Sequence, residues 1–137
     1  MRRQDRRESN VATLHPAHWS IERYQAFWAK PDLSLVKHAL TDDIVGYWPG
    51  SPEPVRGLEP YTARIAQVLE LLPDLTLKVL EHAQNGDIVF IRWIAHATGA
   101  SGDRAQLIGV DRLRLRDGLV AENVIHYDPA EFEKLLA

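Results

Sequence analysis

A chain of 137 residues, 45% hydrophobic and 26% charged, has the size and apolar share of one globular domain, which excludes two full cores and wholesale disorder. Its formal charge of −3 argues against a protein built to coat nucleic acid, and the lack of cysteine excludes disulfides, thiol nucleophiles and Cys-based zinc sites. No apolar run approaches a membrane span, and no apolar stretch follows the Arg-rich first residues, so a cytoplasmic protein without a membrane partner is expected.

Residues 1–12 are dense in charge and poor in apolar side chains, which predicts a mobile basic tail ahead of a single domain over 13–137. Ser20 is placed to cap a helix, with Trp19 and Tyr24 at staple positions and Ile21, Tyr24, Phe27 and Trp28 forming its apolar stripe. Lys30-Pro31 ends that helix, and Asp32 caps a second one running to about Leu40. Ile44–Trp48 reads as a short strand, and the Pro-rich stretch 49–54 as irregular. Pro60 suits the first turn of a third helix whose face carries Tyr61, Ile65, Val68, Leu69 and Leu72. Strands follow over 75–81, 88–98, 106–116 and 119–127, with turns at 84–87, 99–104 and Asp117-Gly118. Asp128-Pro129-Ala130-Glu131 is a capping box that opens a short C-terminal helix. The predicted class is therefore α+β: one curved, mainly antiparallel sheet with three N-terminal helices on one side.

The strand around Asp111 is the most informative segment. Alternation puts Arg112, Arg114 and Arg116 on one face, and Asp111 on the other with Leu107, Leu113 and Leu115. A carboxyl in an apolar row loses hydration, so its pKa should rise, and in its neutral form it can donate a hydrogen bond to a developing oxyanion. If Asp117-Gly118 is a two-residue loop with regular pairing beyond it, Asp111 lies opposite Val124, and Glu122, Val124 and His126 share its face. A structural ion pair of Asp111 with His126 or a helix arginine is the plainer alternative.

Arg23-Tyr24, Asp32-Leu33, Asp42-Asp43, Gly86-Asp87, Arg92-Trp93 and Asp111…Arg114…Asp117-Gly118…Glu122 together resemble the SnoaL-like branch of the nuclear transport factor 2-like superfamily, over residues 18–136. That resemblance implies a cone: a bent sheet wrapped around helices, with a deep pocket at the open end and dimerisation through the outer sheet face. Against the related ketosteroid isomerases, Tyr24 and Asp111 match the two oxyanion donors, while the position of the base is Trp48. Against the limonene-epoxide hydrolases, Arg92 matches the arginine, but both acid positions are isoleucine, Ile94 and Ile125. The isomerase comparison turns Trp93 into the pocket; the hydrolase comparison turns Arg92 and His96 there, and the all-apolar face favours Trp93. Tyr47 and Trp48 alternate, so one of them enters, Trp48 by the isomerase comparison.

The resulting expectation is a cofactor-independent acid–base enzyme of isomerase, cyclase or dehydratase type, acting on an apolar carbonyl-bearing small molecule. Asp111, Tyr24 and His126 are its catalytic candidates, His126 as base. Trp48, Trp93, Tyr47 and Val124 are its substrate-binding candidates. The alternative is a non-catalytic ligand-binding or dimerisation module. His15-x-x-His18 has ligand spacing, yet without further metal signatures no metal site is expected.

Overall fold

The computed structural model describes residues 18–137; the basic segment 1–12 and His15 lie outside the described residues. The elements in chain order are α1 (Ile21–Ala29), a 3-10 helix (Leu33–Ala39), β1 (Leu40–Tyr47), β2 (Val55–Arg56), α2 (Leu58–Leu71), β3 (Thr76–Asn85), β4 (Ile88–Thr98), β5 (Arg104–Arg116), β6 (Leu119–His126) and α3 (Pro129–Leu136). The fold is α+β. A six-stranded, curved sheet runs in the order β2-β1-β6-β5-β4-β3, and all neighbours are antiparallel except β1 and β6.

Local chemistry accounts for most of the helix ends. The Ser20 hydroxyl accepts from the Arg23 amide at 3.1 Å, and Trp19 meets Tyr24 edge-on with ring centroids 6.4 Å apart, which fixes how the chain enters α1. Asp32 caps the next segment through Ser34, but seven residues of 3-10 helix form there in place of the expected α-helix. Asp128 caps α3 by accepting from the Ala130 amide at 2.9 Å. The capping box is only half formed, because Glu131 turns to Lys134 at 2.9 Å. Beyond the Pro-rich stretch, the two residues of β2 pair with β1, an element too short to carry an alternation signal.

The core lies on the concave face. There β4 contributes Val89, Ile91, Trp93, Ala95 and Ala97, and β5 contributes Leu107, Asp111 and Leu113, all buried. The opposite face of β5 carries the arginines, each paired to an acid: Arg112 to Glu122 at 2.8 Å, Arg114 to Asp87 at 3.7 Å and Arg116 to Asp43.

The β5–β6 hairpin contains the one departure that matters for the site. Its turn is the expected two-residue loop, with Asp117 at φ 55° and Gly118 at φ 81° and Arg116 opposite Leu119. Pairing then slips between Arg114 and Leu115: Leu115 faces Val120, Arg114 faces Glu122, and Ala121 is the extra residue of a β-bulge. Every later residue of β6 changes face relative to regular pairing. Asp111 is opposite Ile125, not Val124, and Asn123 and Ile125 are buried on the concave side. Glu122, Val124 and His126 occupy the convex side, which corrects the expected placement of all three.

Both turn residues need positive φ, and a Cβ on Gly118 would stand 3.0 Å from the His18 ring. Gly118→Ala should cost about 1–2 kcal/mol, measured by urea unfolding. An unchanged midpoint would mean that the loop adopts another turn at no cost.

Candidate active site

The concave face encloses a cavity of about 580 Å³, within the range of small-molecule sites. Its wall is largely apolar, from Phe27, Trp28, Leu72, Leu107, Val120 and Phe132 among others, and Arg23, Lys30 and His38 supply its basic side chains. Of the expected site residues, Asp111, Tyr24, Trp48 and Trp93 line it together. Tyr47, Val124 and His126 do not: Tyr47 is 38% exposed, His126 is exposed on the convex face, and Val124 stands on that face beside it.

Asp111 sits in this wall at 6% exposure. The Tyr24 hydroxyl, brought over by α1, donates to its Oδ2 at 2.8 Å, and the Trp93 indole Nε1 donates to its Oδ1 at 3.0 Å. Both are neutral donors, so the plainer alternative of a helix arginine or His126 in direct contact is not what holds the carboxyl. Burial raises the pKa of Asp111, and the hydrogen bonds from Tyr24 and Trp93 offset part of that rise. His126 adds the smallest of the lowering effects, acting at a distance through its charge. Tyr24 is itself pushed well above the usual phenol range, by burial first and by the adjacent Asp111 second.

Two glycines make this arrangement fit. A Cβ on Gly109 would run into the Trp93 indole and stand 2.8 Å from the His126 carbonyl oxygen, so the bare backbone of β5 is what lets the indole lie across it and reach Asp111. Gly46 does the same for the Trp48 and Tyr61 rings, whose centroids are 5.2 Å apart. The Arg64 guanidinium stacks 4.9 Å from the centroid of Trp48. The choice between the two aromatics at the end of β1 is thus settled: Ile44, Gly46 and Trp48 are the buried alternates and Tyr47 is not.

Tyr61 and Asn123 extend the polar wall, and neither was among the expected site residues. Asn123 Nδ2 donates to the Tyr61 hydroxyl oxygen at 3.0 Å, and burial raises the Tyr61 phenol above its usual range. Tyr61 was read as one of five face residues of α2, with nothing to single it out. Asn123 was hidden by the bulge. Arg92 and His96 face outward, Arg92 towards Glu81 at 3.6 Å and His96 beside Gln106, so Trp93 is the residue of β4 that enters. Among the described residues, no cluster of three or more His, Asp and Glu side chains is arranged to hold a metal ion.

A curved sheet wrapped around helices with a deep apolar cavity at its concave face is the architecture of the nuclear transport factor 2-like proteins. The chain matches the SnoaL-like domain family over residues 21–123, most of its length, and belongs to that family. Solved structures agree on the fold. A protein from Jannaschia sp. CCS1 assigned as a SnoaL-like polyketide cyclase superposes with a TM-score of 0.73 at 18% identity, over 85% of this chain and 90% of that one. IdmH from Streptomyces antibioticus, also assigned as a polyketide cyclase, gives 0.73 at 21% identity, over 84% and 94%. An NTF2-like protein of unknown function from Burkholderia pseudomallei K96243 gives 0.74 at 21%, over 92% and 95%. No curated protein matches the chain by sequence. No described helix is long and apolar enough to cross a membrane.

The raised pKa of Asp111 has a consequence for stability. A carboxyl that holds its proton more tightly in the folded chain costs stability as pH rises above the ordinary carboxylate range, and the loss levels off above the folded pKa. Asp111→Asn has no proton to lose, and Tyr24 can turn to accept from the new amide while Trp93 still donates. The variant should exceed the wild type in thermal midpoint by a few degrees near neutrality, and the gap should close towards about pH 4. Calorimetry at several pH values reads that difference, in which the effects of other carboxylates cancel. A gap that widens on acidification would place Asp111 among the lowered acids.

Proposed function

We propose that the chain is a cofactor-independent acid–base enzyme of isomerase, cyclase or dehydratase type, acting on an apolar small molecule that carries a carbonyl group. One observation carries the reading: a buried carboxyl with two neutral donors, set in the wall of a roomy apolar cavity. Structural ion pairs do not look like this, and an acid kept neutral by burial is suited to donate to an oxygen as it becomes negative.

In this reading the substrate carbonyl oxygen lies against Tyr24 and Asp111. As a proton leaves the adjacent carbon, charge builds on that oxygen; neutral Asp111 donates to it in surroundings that screen charge poorly, and Tyr24, whose hydroxyl donates to Oδ2, holds the carboxyl in place for that donation. Trp93 steadies the carboxyl by holding Oδ1, and Trp48 forms part of the apolar wall that excludes water. The acid half of the reaction is assigned to Asp111 and Tyr24. His126 is not given the base half, because it faces solvent on the far side of the sheet. A module that used its interior only for packing would fill this space with its own side chains; the open cavity favours an enzyme or a ligand carrier over such a module.

Exchange of the α-hydrogens of a simple enolisable ketone such as 2-tetralone for deuterium, followed by NMR, tests the assignment without knowledge of the natural substrate. Asp111→Asn should slow the exchange about a hundredfold and Tyr24→Phe about tenfold. Wild-type exchange should fall as pH rises through the raised pKa of Asp111, since the protonated form is the active one. Equal exchange in all three proteins would leave the cavity as a binding site without acid–base chemistry.

We also infer a homodimer through the convex sheet face. Phe90 and Ile108 stand there at 49% and 48% exposure, and Ile108 pairs across the ladder with Ile94 on the same side. Apolar side chains gathered on one sheet face are what a protein–protein contact would cover. In sedimentation the wild type should run as a dimer and the Phe90→Glu/Ile108→Glu double variant as a monomer. A monomeric wild type would remove this inference.

A further inference from the structure

Apart from Asp111 and the phenols, every ionisable side chain along the cavity is basic: Arg23, Lys30 and His38. The whole chain has 19 acids against 16 lysines and arginines, so composition does not explain the bias. Helix geometry accounts for the placement. Arg23, Phe27 and Lys30 recur at helical spacing along α1 and its C-cap, on the stripe that borders the cavity. Leu35 and His38 are three apart on the 3-10 helix, where side chains at that spacing eclipse. Lys30, Leu35 and His38 are exposed although they line the cavity, Leu35 by 47%, and so mark its mouth; Asp111, at 6%, lies at the inner end.

The protein does not neutralise this mouth. Among the described residues neither Lys30 nor His38 forms an ion pair, whereas Lys37, off the cavity on the same 3-10 helix, reaches Glu59 at 2.7 Å. Asp32 is occupied by Ser34, whose amide and hydroxyl donate to it at 3.0 and 2.7 Å, and Lys30 is the least of the influences on its carboxyl. Lys30 and His38 do stand at helix C-terminal ends, where a cation is favoured in any case, but that role does not require them to border the cavity. Arg23 already has an interaction of its own, which leaves Lys30 and His38 to receive an anion.

We propose that the bound molecule is an apolar keto acid, with its ketone at the inner end against Asp111 and its carboxylate received at the mouth by Lys30 and His38. The inference rests on the reading of Asp111, held by Tyr24, as the carbonyl-binding group. A lysine ammonium and an imidazole N–H suit the two oxygens of a carboxylate. Phe27 and Leu35 on the same two stripes keep part of the water away, so the contact is screened less than an ion pair in open solvent. The molecule cannot enter the other way round: at the inner end a carboxylate would meet apolar wall and Asp111, and burying its charge there costs far more than burying a ketone.

Matched acids and amides test this. The 2-naphthyl keto acids with two, three or four methylenes between ketone and carboxylate, and their primary amides, are titrated into the full chain at neutral pH, with quenching of tryptophan fluorescence as the readout. At least one acid should bind the wild type about fivefold more tightly than its amide, and about 0.5 M sodium chloride should remove most of that preference. The Lys30→Gln/His38→Gln double variant should bring the ratio near one without changing the affinity for the amide. Lys37→Gln, which removes a charge from the same helix away from the cavity, should keep the ratio. Tyr24→Phe should weaken acid and amide equally and also keep it. A wild type that binds each acid and its amide alike, while Tyr24→Phe still weakens both, overturns the anionic end and leaves the carbonyl site standing. A preference that survives the double variant, or that Lys37→Gln lowers as much, also overturns the role of Lys30 and His38. Absence of binding by every compound overturns both readings.

Discussion

A carboxyl group taken out of water gives up hydration that no single hydrogen bond replaces, and Asp111 is taken out almost completely. It can be there because burial makes it easier to protonate and because two donors that carry no charge of their own reach its two oxygens. Much of the fold serves that contact. Tyr24 must arrive from α1, which fixes the helix against the concave face, and the Ser20 cap and the packing of Trp19 on Tyr24 set where α1 begins. Trp93 must cross β5, which the missing side chain of Gly109 allows. The hydrogen bonds of one carboxyl thus tie a helix and two strands together around empty space. The site therefore couples stability to chemistry, since ionising Asp111 weakens the fold for the same reason that neutral Asp111 can act as an acid.

The two enzyme comparisons made on sequence fare differently once faces are assigned. The isomerase-like pair survives as geometry: Tyr24 and Asp111 are in contact, inside the cavity. Where those enzymes keep a carboxylate base, Trp48 packs against Tyr61 beneath Arg64, and an indole ring has no lone pair to serve as a base. The hydrolase-like arginine is on the wrong side of the sheet, since Arg92 points away from the cavity towards Glu81. Among the described residues the concave wall holds no arginine flanked by acids; it holds an acid bonded to two neutral donors.

The sequence made the strongly patterned parts legible. Five residues of β4 alternate cleanly into the core, the row of arginines on β5 marks an outer face, and Ser20, Asp32 and Asp128 cap where their side chains predict. Asp111 stood out for the same reason: one charged residue in an apolar row is a local contradiction that only burial with partners resolves. What alternation could not reveal was its own interruption. A bulge adds one residue to one strand, leaves composition untouched, and reverses every assignment beyond it. His126 and Val124 were expected in the cavity and Asn123 outside it through that single step at Ala121. The 3-10 helix is a gentler case, because a capping residue and a breaker define a helical segment without specifying its pitch.

The bulge also decides what kind of neighbour the buried acid has. With unbroken pairing from the Asp117-Gly118 turn, Leu113 would face Glu122, and a second carboxyl would enter the cavity diagonal to Asp111. Two carboxyls so close in an apolar wall would compete for one proton, and two macroscopic ionisations would replace one poised acid. The extra residue sends Glu122 to the convex face, where Arg112 at 2.8 Å and Arg114 at 3.8 Å satisfy it, and brings the neutral amide of Asn123 inward. The same step brings Asn123 against Tyr61, whose hydroxyl oxygen accepts from its Nδ2 at 3.0 Å. A strand irregularity of one residue thus separates a cavity with two interacting acids from a cavity with one buried acid and a neutral amide beside it, and only the second leaves a single carboxyl whose protonation is set by burial and by the Tyr24 and Trp93 donors alone.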